Sequence, residues 1–398
     1  MRGWARVALL WGLAALPIAE RCIAADEDVK PWIPTPSVAL GNSLLSIAAD
    51  GYGAGYIESQ PGGVERDGLT GALLVQPELG YPFQNGWILG VRTAFLVHHD
   101  RLSGDNYGND VVEKAYLYLE TAYGRIEAGQ QDGAAYKLEA TGPLVTGPPA
   151  IDDANVTFYI DPGTGKAFTN IFPVRTGVFA TSNAAKVSYY SPRSVDLQVG
   201  LSFTPSETKG FPFLSHSDAH QNVQRNITEA GANYVRGFGQ IMLHAYAGLA
   251  FGLVENRTPG HRNALDWALG GQVDYNLNWG LLSFGGAYRQ SRGYTFDIDE
   301  SLSHGDTDAV HLTARLTKGP WEFGFEYSAA DAAAAAQAGL PDLSERGYEP
   351  QIGYTFNPNL QLSLGYQHLD YQRNIGSFYN GKPELSLNAG FLYFEFKV

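Results

Sequence analysis

Few residues in this chain stand at spacings that support catalysis or metal binding. His216 and His220 are four apart, but in a polar stretch that completes no ligand set, and His98-His99 point to opposite faces of an extended segment. Asp105-Asn106-Tyr107-Gly108-Asn109-Asp110 has the oxygen density of a calcium loop without its spaced ligands or closing glutamate. Gly163-Thr164-Gly165-Lys166-Ala167 only grazes a phosphate-binding loop, because the first glycine and the final hydroxyl are out of place. His244 and His311 have no serine at neighbouring positions to act as a nucleophile. No metal and no cofactor is therefore expected. What remains is charge. Glu139, Asp152, Asp153 and Asp161 share the segment 132–182 with Lys137, Lys166 and Arg175, while Arg92, Lys114, Arg125 and Lys186, with Arg289 and Arg315 further along, fall at polar positions of alternating segments. Taken singly, each suits a solvated rim or loop equally well. Acid on a loop facing base on a wall would set up a transverse field, which sorts passing ions instead of transforming a substrate.

Such opposition needs a wall, and the alternation supplies one. Val195, Leu197, Val199, Leu201 and Phe203 alternate with Asp196, Gln198, Gly200 and Ser202. Trp321, Phe323, Phe325 and Tyr327 alternate with Glu322, Gly324, Glu326 and Ser328, and Leu360, Leu362, Leu364 and Tyr366 with Gln361, Ser363, Gly365 and Gln367. A period of two is that of a strand with one apolar face, and helical spacing fits none of these runs. The same reading predicts about sixteen strands, near 40–58, 68–82, 87–99, 111–120, 124–131, 183–191, 195–203, 229–237, 239–253, 264–277, 279–290, 306–317, 320–329, 346–356, 359–371 and 384–398. Tight reversals such as Phe83-Gln84-Asn85-Gly86 and Lys318-Gly319 alternate with long connections near 59–67, 100–110, 132–182, 204–228, 254–263, 291–305, 330–345 and 372–383. A propeller would show a blade-sized repeat, and none is present. Strict short–long order with apolar-out, polar-in alternation instead predicts an all-β fold, a closed antiparallel transmembrane β-barrel. Sixteen strands enclose water and not a packed core. At about fifty residues, 132–182 is too long for a plain connection. It is proline-rich yet apolar (Leu144, Val145, Phe158, Tyr159, Ile160), so it needs a wall to pack against.

Composition agrees. Of 398 residues only 17% are charged, 13% are aromatic, and there are 47 glycines, which excludes disorder, a coiled coil and a helical membrane bundle. Arg2 and Arg6, the apolar stretch Val7–Ala19 and Ala24-Ala25 read as a signal peptide over residues 1–25. Residues 26–39 then form a periplasmic N-terminal segment ahead of the barrel at 40–398. Cys22, the only cysteine, falls in the leader, so the exported chain has no disulfide. Losing Arg2, Arg6, Arg21 and Glu20 takes the formal charge from −14 to −16, which excludes nucleic acid as a partner.

Two stretches carry a resemblance. Ala115-Tyr116-Leu117-Tyr118-Leu119-Glu120-Thr121 leads into Tyr123-Gly124-Arg125-Ile126-Glu127-Ala128-Gly129-Gln130-Gln131, and Lys186-Val187-Ser188-Tyr189-Tyr190-Ser191-Pro192 follows the long segment. In these the chain resembles the Gram-negative general porins, sixteen-stranded outer-membrane barrels that are usually trimeric. The resemblance implies that 132–182 is the third outer loop, folded into the lumen as a constriction, and that 100–110 latches a neighbouring subunit. It further implies a homotrimer in outer-membrane lipid, passing ions and small hydrophilic solutes, and no enzyme. Two other functions are weighed beside this: a sugar-type channel, for which inward Tyr116, Tyr118 and Tyr246 would begin an aromatic ladder, and a barrel hydrolase. The acidic balance predicts mild cation preference. Departures from the family are a thinner arginine wall and a terminus of Phe394-Glu395-Phe396-Lys397-Val398 without a final aromatic. Leu385 and Leu387 are out of phase with Phe394 and Phe396, which predicts a bulge near Gly390, and alanine-rich Asp331–Gly339 suggests a short helix.

Overall fold

The computed structural model describes residues 35–62, 64–100, 112–142, 144–145, 159, 162, 176–178, 180–181, 184–194, 196–206, 223–255, 263–292, 304–334 and 342–398. Alternating apolar and polar residues give strands, and the strands give one antiparallel sheet. They are β1 (Ser37–Leu40), β2 (Ser43–Gln60), β3 (Val64–Pro82), β4 (Ile88–Asp100), β5 (Val112–Thr121), β6 (Gly124–Gln130), β7 (Ala185–Tyr190), β8 (Leu197–Ser206), β9 (Val223–Phe238), β10 (Ile241–Glu255), β11 (Ala264–Leu277), β12 (Gly280–Arg292), β13 (His304–Lys318), β14 (Trp321–Ala334), β15 (Leu343–Asn357), β16 (Leu360–Arg373) and β17 (Glu384–Lys397). A single helical turn, α1 (Ala134–Lys137), follows β6. Each strand from β2 onward pairs with its chain neighbour, and β17 returns to β2, with Asn388 opposite Ser59 and Lys397 opposite Asp50. Sixteen strands thus close without an edge, which is what hydrocarbon demands of a backbone that water cannot solvate.

The two faces of the sheet differ as a membrane barrel requires. Leu364 is 57% exposed while its neighbour Ser363 is 1% exposed, and Leu201 and Ser202 differ in the same way at 55% and 3%. Over most of the wall apolar side chains face outward and small or polar ones inward, the apolar inner cluster on β16, β17 and β2 being the exception. Aromatic residues exposed at the short-turn end, including Trp87, Tyr123, Phe238, Trp279, Trp321 and Phe356, form a girdle of the kind found at a lipid–water interface. The reversals are chemically apt. In the two-residue turns after β9 and β13, Gly239 and Gly319 take φ of 64° and 55°, values that match the strand twist and that side chains resist.

Four expectations are corrected. The strand read at 40–58 divides at Gly41-Asn42. Its first part, β1, starts within the stretch assigned to the N-terminal segment and continues along β2 where β17 stops, while Val398 exchanges backbone bonds of 2.8 and 3.1 Å with Ala49. The long connection near 59–67 shrinks to residues 61–63, because β2 and β3 pair without interruption to Gln60 and Val64. No bulge occurs near Gly390, and the β16–β17 and β17–β2 registers run straight through it. Leu385, Leu387, Ala389, Phe391 and Tyr393 instead all point into the barrel, where they pack with Tyr56, Tyr159 and Tyr371. Parity alone makes apolar residues inside look like a phase error, because the sequence does not show what covers them. Finally, Asp331–Ala334 extends β14 in place of a helix, paired to both neighbouring strands, and the rest of that stretch, 335–339, lies outside the described residues.

Candidate pore and constriction site

The described residues between β6 and β7 lie against the inner wall. Gly133 opens α1 with extended backbone and no side-chain cap, so the turn is held from outside: Ser202 on β8 accepts the Ala134 N–H at 3.1 Å. Ala134 and Ala135 are fully buried over Gly231 on β9. Asn233 on the same strand donates to the Leu138 carbonyl at 3.1 Å. The chain then passes Gly270 on β11 at Ala140 and Thr313 on β13 at Gly142. Arg315 on β13 donates to the Leu144 carbonyl at 2.8 Å, and Gln361 on β16 to the Val145 carbonyl at 2.9 Å. Tyr159 donates to the Gln367 carbonyl at 3.2 Å. On the way back, Val178 lies over Gly248 on β10, and Thr181 bonds the buried Glu229 on β9. From Ala134 to Val145, and again at Val178 and Thr181, the segment thus runs over the inner face of β8 to β16, and Tyr159 reaches the cluster on β16, β17 and β2.

The β2–β6 side carries a linked row of polar groups. Gln76 donates to Asp50 at 3.1 Å and accepts from Arg92 at 2.7 Å. Arg92 lies 3.7 Å from Glu78, which accepts the Tyr118 hydroxyl at 2.6 Å. The Arg125 guanidinium sits 4.0 Å above the Tyr118 ring and pairs with Glu127 at 2.7 Å and Glu120 at 3.6 Å. Where the segment leaves β6, Lys114 meets Asp132 at 2.6 Å, and Lys137 meets Glu127 at 2.5 Å and the Gln131 side chain at 2.6 Å. Burial opposes the charge of Asp132, but Lys114, Lys137 and Lys186 outweigh it and hold the carboxyl below its usual range. Burial prevails at Lys137, bringing its ammonium below the usual lysine range despite Glu127 and Asp132.

The candidate charges therefore separate into groups. Arg92, Lys114, Arg125, Lys137 and Glu127 come together. Lys186 is spent on the Gln131 carbonyl, and Arg289 makes a bidentate pair with Asp266 at 2.8 Å with both partners buried. Arg315 holds the loop and lies 3.9 Å from Glu322. Glu139 stays on the loop, against Gly177 of the returning arm. Asp152, Asp153, Asp161, Lys166 and Arg175 lie outside the described residues, as do His216, His220 and the 105–110 and 163–167 stretches. Glu127, Asp132 and the buried inward acids Glu229, Asp266, Glu326, Glu345 and Glu349 were not singled out from the sequence. Strand parity could have found those on strands; Glu127, for example, shares the face of Arg125.

The two inward histidines do acquire nearby serines, contrary to the sequence reading, because strand pairing brings them together. Ser328 lies opposite His311 across β13–β14, with the His311 ring 3.3 Å from Glu326. His311, Glu326 and Ser328 are at most 1% exposed, so a substrate has no approach. His244 lies 3.3 Å from Asp274, and Ser283 stands opposite the carboxylate, not beside the imidazole. Neither arrangement supplies a nucleophile hydrogen-bonded to its base.

A model of the family described as Gram-negative porin matches residues 83–396. The chain belongs to the Gram-negative porin family. It is thus an outer-membrane channel protein. A search of curated proteins by sequence found no match. Among solved structures, this porin is similar to OmpF of Salmonella typhi in complex with daunomycin, with a TM-score of 0.56 and 14% identity over 91% of this chain and 100% of that one. It is similar to the outer-membrane channel DcaP of Acinetobacter baumannii, with a TM-score of 0.56 and 12% identity over 90% and 99%. It is also similar to an anion-selective porin from Comamonas acidovorans, with a TM-score of 0.55 and 12% identity over 89% and 100%. At these identities the likeness is one of fold.

Proposed function

We propose that this porin is a general diffusion channel, a water-filled passage for ions and small hydrophilic solutes with a mild preference for cations. The observation that carries this reading is the unequal use of the inner wall. Beyond its root at Asp132 and Lys137, most of the described part of 132–182 runs over β8 to β16, while Asp50, Gln76, Glu78, Arg92 and Arg125 on β2, β3, β4 and β6 keep partial access to water. Passage runs along that charged strip, and 132–182 acts as the constriction loop. Cation preference follows from the acids around it: Glu78, Glu120, Glu127 and Asp132 offset Arg92, Arg125, Lys114 and Lys137, and the −16 charge tips the balance. Export with cleavage after Ala25, and a homotrimer latched by 100–110, complete the reading; a trimer form of OmpT from Vibrio cholerae is among the similar folds.

The test is reconstitution in planar bilayers under a potassium chloride gradient. A reversal potential of cationic sign, with steps in multiples of three, is expected. Strong chloride preference would remove the ion reading, and absence of conductance would end the channel reading. A sugar-type channel is the alternative, favoured by inward Tyr116, Tyr118 and Tyr246, of which Tyr246 is buried at 4% exposure beneath the loop. Liposome swelling decides between them. Rates ordered by solute size alone support diffusion, and discrimination between sugars of equal size supports the alternative.

A further inference from the structure

The loop meets the wall through a series of glycines. Gly200, Gly231, Gly248, Gly270, Gly324 and Gly353 face inward from β8, β9, β10, β11, β14 and β15, and at each the nearest atoms include part of the loop. Without a Cβ, a strand lets another backbone approach closely. At one point this contact becomes a clamp. Val145 enters a notch between Gly324 and Gly353: a Cβ on Gly324 would overlap the Val145 Cγ2 methyl and lie 3.1 Å from its Cβ, and one on Gly353 would lie 3.2 Å from Cγ1. Val145 is 2% exposed. The strands on either side hold the backbone, Arg315 of β13 through the Leu144 carbonyl and Gln361 of β16 through the Val145 carbonyl.

We infer that Val145, seated between Gly324 and Gly353, is the positioning residue that sets how far the loop stands off the wall, and hence the aperture of the pore. Resting on the reading of 132–182 as constriction loop, it names the contact that fixes the loop's position. Two carbonyl bonds fix the chain along the wall, and the glycine notch fixes its distance from the wall. A valine methyl leaves no room for a larger residue at Gly324, while at Gly353 a Cβ would lie 2.9 Å from the Gln361 amide nitrogen and 3.1 Å from the Ser363 hydroxyl as well as against Val145. Anything added at Gly324 moves the loop towards the β2–β6 strip and narrows the passage.

The experiment is a bump and a matching hole in the full-length protein, read by single-channel conductance and liposome swelling. Gly324→Val should lower conductance about twofold or more and slow larger sugars more than small ones, since pore diameter sets both. Gly324→Ala should do so to a lesser degree. Val145→Gly makes room, so Gly324→Ala with Val145→Gly should return conductance to the wild-type level. Simple damage to the barrel would not be repaired by a second deletion, and circular dichroism with protease resistance identifies any variant that has not folded; the alanine pair then decides. If the wild type conducts and Gly324→Ala and Gly324→Val match it, the clamp is overturned; the same holds if the double variant stays as low as Gly324→Ala. A wild type that does not conduct would overturn the channel reading itself, which is a different outcome.

Discussion

At the scale of single residues, the charges of the inner wall act in pairs. Asp132 illustrates this. Burial works against its ionised form, yet Lys114 at 2.6 Å and the nearby Lys137 and Lys186 hold the carboxyl below its usual range. A folded-state value lower than the unfolded one means that stabilisation is present above the unfolded value and is lost as pH falls through the folded one. The root of the loop should therefore loosen only in acid, below about pH 4, where an ordinary aspartate is already half protonated. Conductance or protease access to the loop, followed from neutral to acidic pH, checks this. The acid transition is expected in the wild type and absent in Asp132→Asn, which should behave at neutral pH as the wild type does in acid. Much of this pairing was out of reach from the sequence. Arg92, Lys114 and Arg125 stood out as bases at inward positions, but that Arg289 would be neutralised by Asp266, and Arg315 engaged by the Leu144 carbonyl, depends on neighbours 23 and 171 positions away.

At the scale of elements, parity makes a sharp prediction. Leu269 on β11 is 53% exposed towards lipid, and Gln272 on the same strand faces inward beside Asp274 at 2.6 Å. Leu269→Arg should destabilise the folded barrel by about 2–4 kcal/mol, as cations do near the middle of a lipid-facing strand. Gln272→Arg should cost much less, since it gains water and a carboxylate. Reversible urea unfolding in lipid vesicles measures both, and equal costs would deny that β11 has a lipid face. Each of the sixteen barrel strands was legible in the sequence, because lipid on one side and water or a polar lining on the other imposes a period of two. The bulge expected near Gly390 fails for a reason of this kind. At Leu385, Leu387 and Phe391 the inner face is as apolar as the outer one, since it packs with Tyr159 of the loop instead of lining water. Alternation is silent there.

For the whole molecule, closure is the property on which the rest depends. The backbone pairs from Asn388–Ser59 to Lys397–Asp50, with Val398 bonded to Ala49, turn a sheet into a barrel. Removing residues 393–398 deletes five of those pairings, from Tyr393–Ala54 to Lys397–Asp50, and exposes the edge of β2. The truncated chain should reach the periplasm but fail to form a protease-resistant species in the outer membrane, as fractionation and limited proteolysis would show. A folded, conducting truncation would mean that β1 can replace the lost strand.

The order of strands and turns, the outward face and the unusual length of 132–182 are local properties, written wherever neighbouring residues must meet lipid or water in turn. The seating of Val145, the hold of Arg315 on the Leu144 carbonyl and the filling of part of the lumen by tyrosine and leucine are not local. They exist only after sixteen strands have curved round to bring β13, β14 and β16 within reach of a single loop, because contact across a closed barrel depends on curvature and register that no stretch of sequence contains.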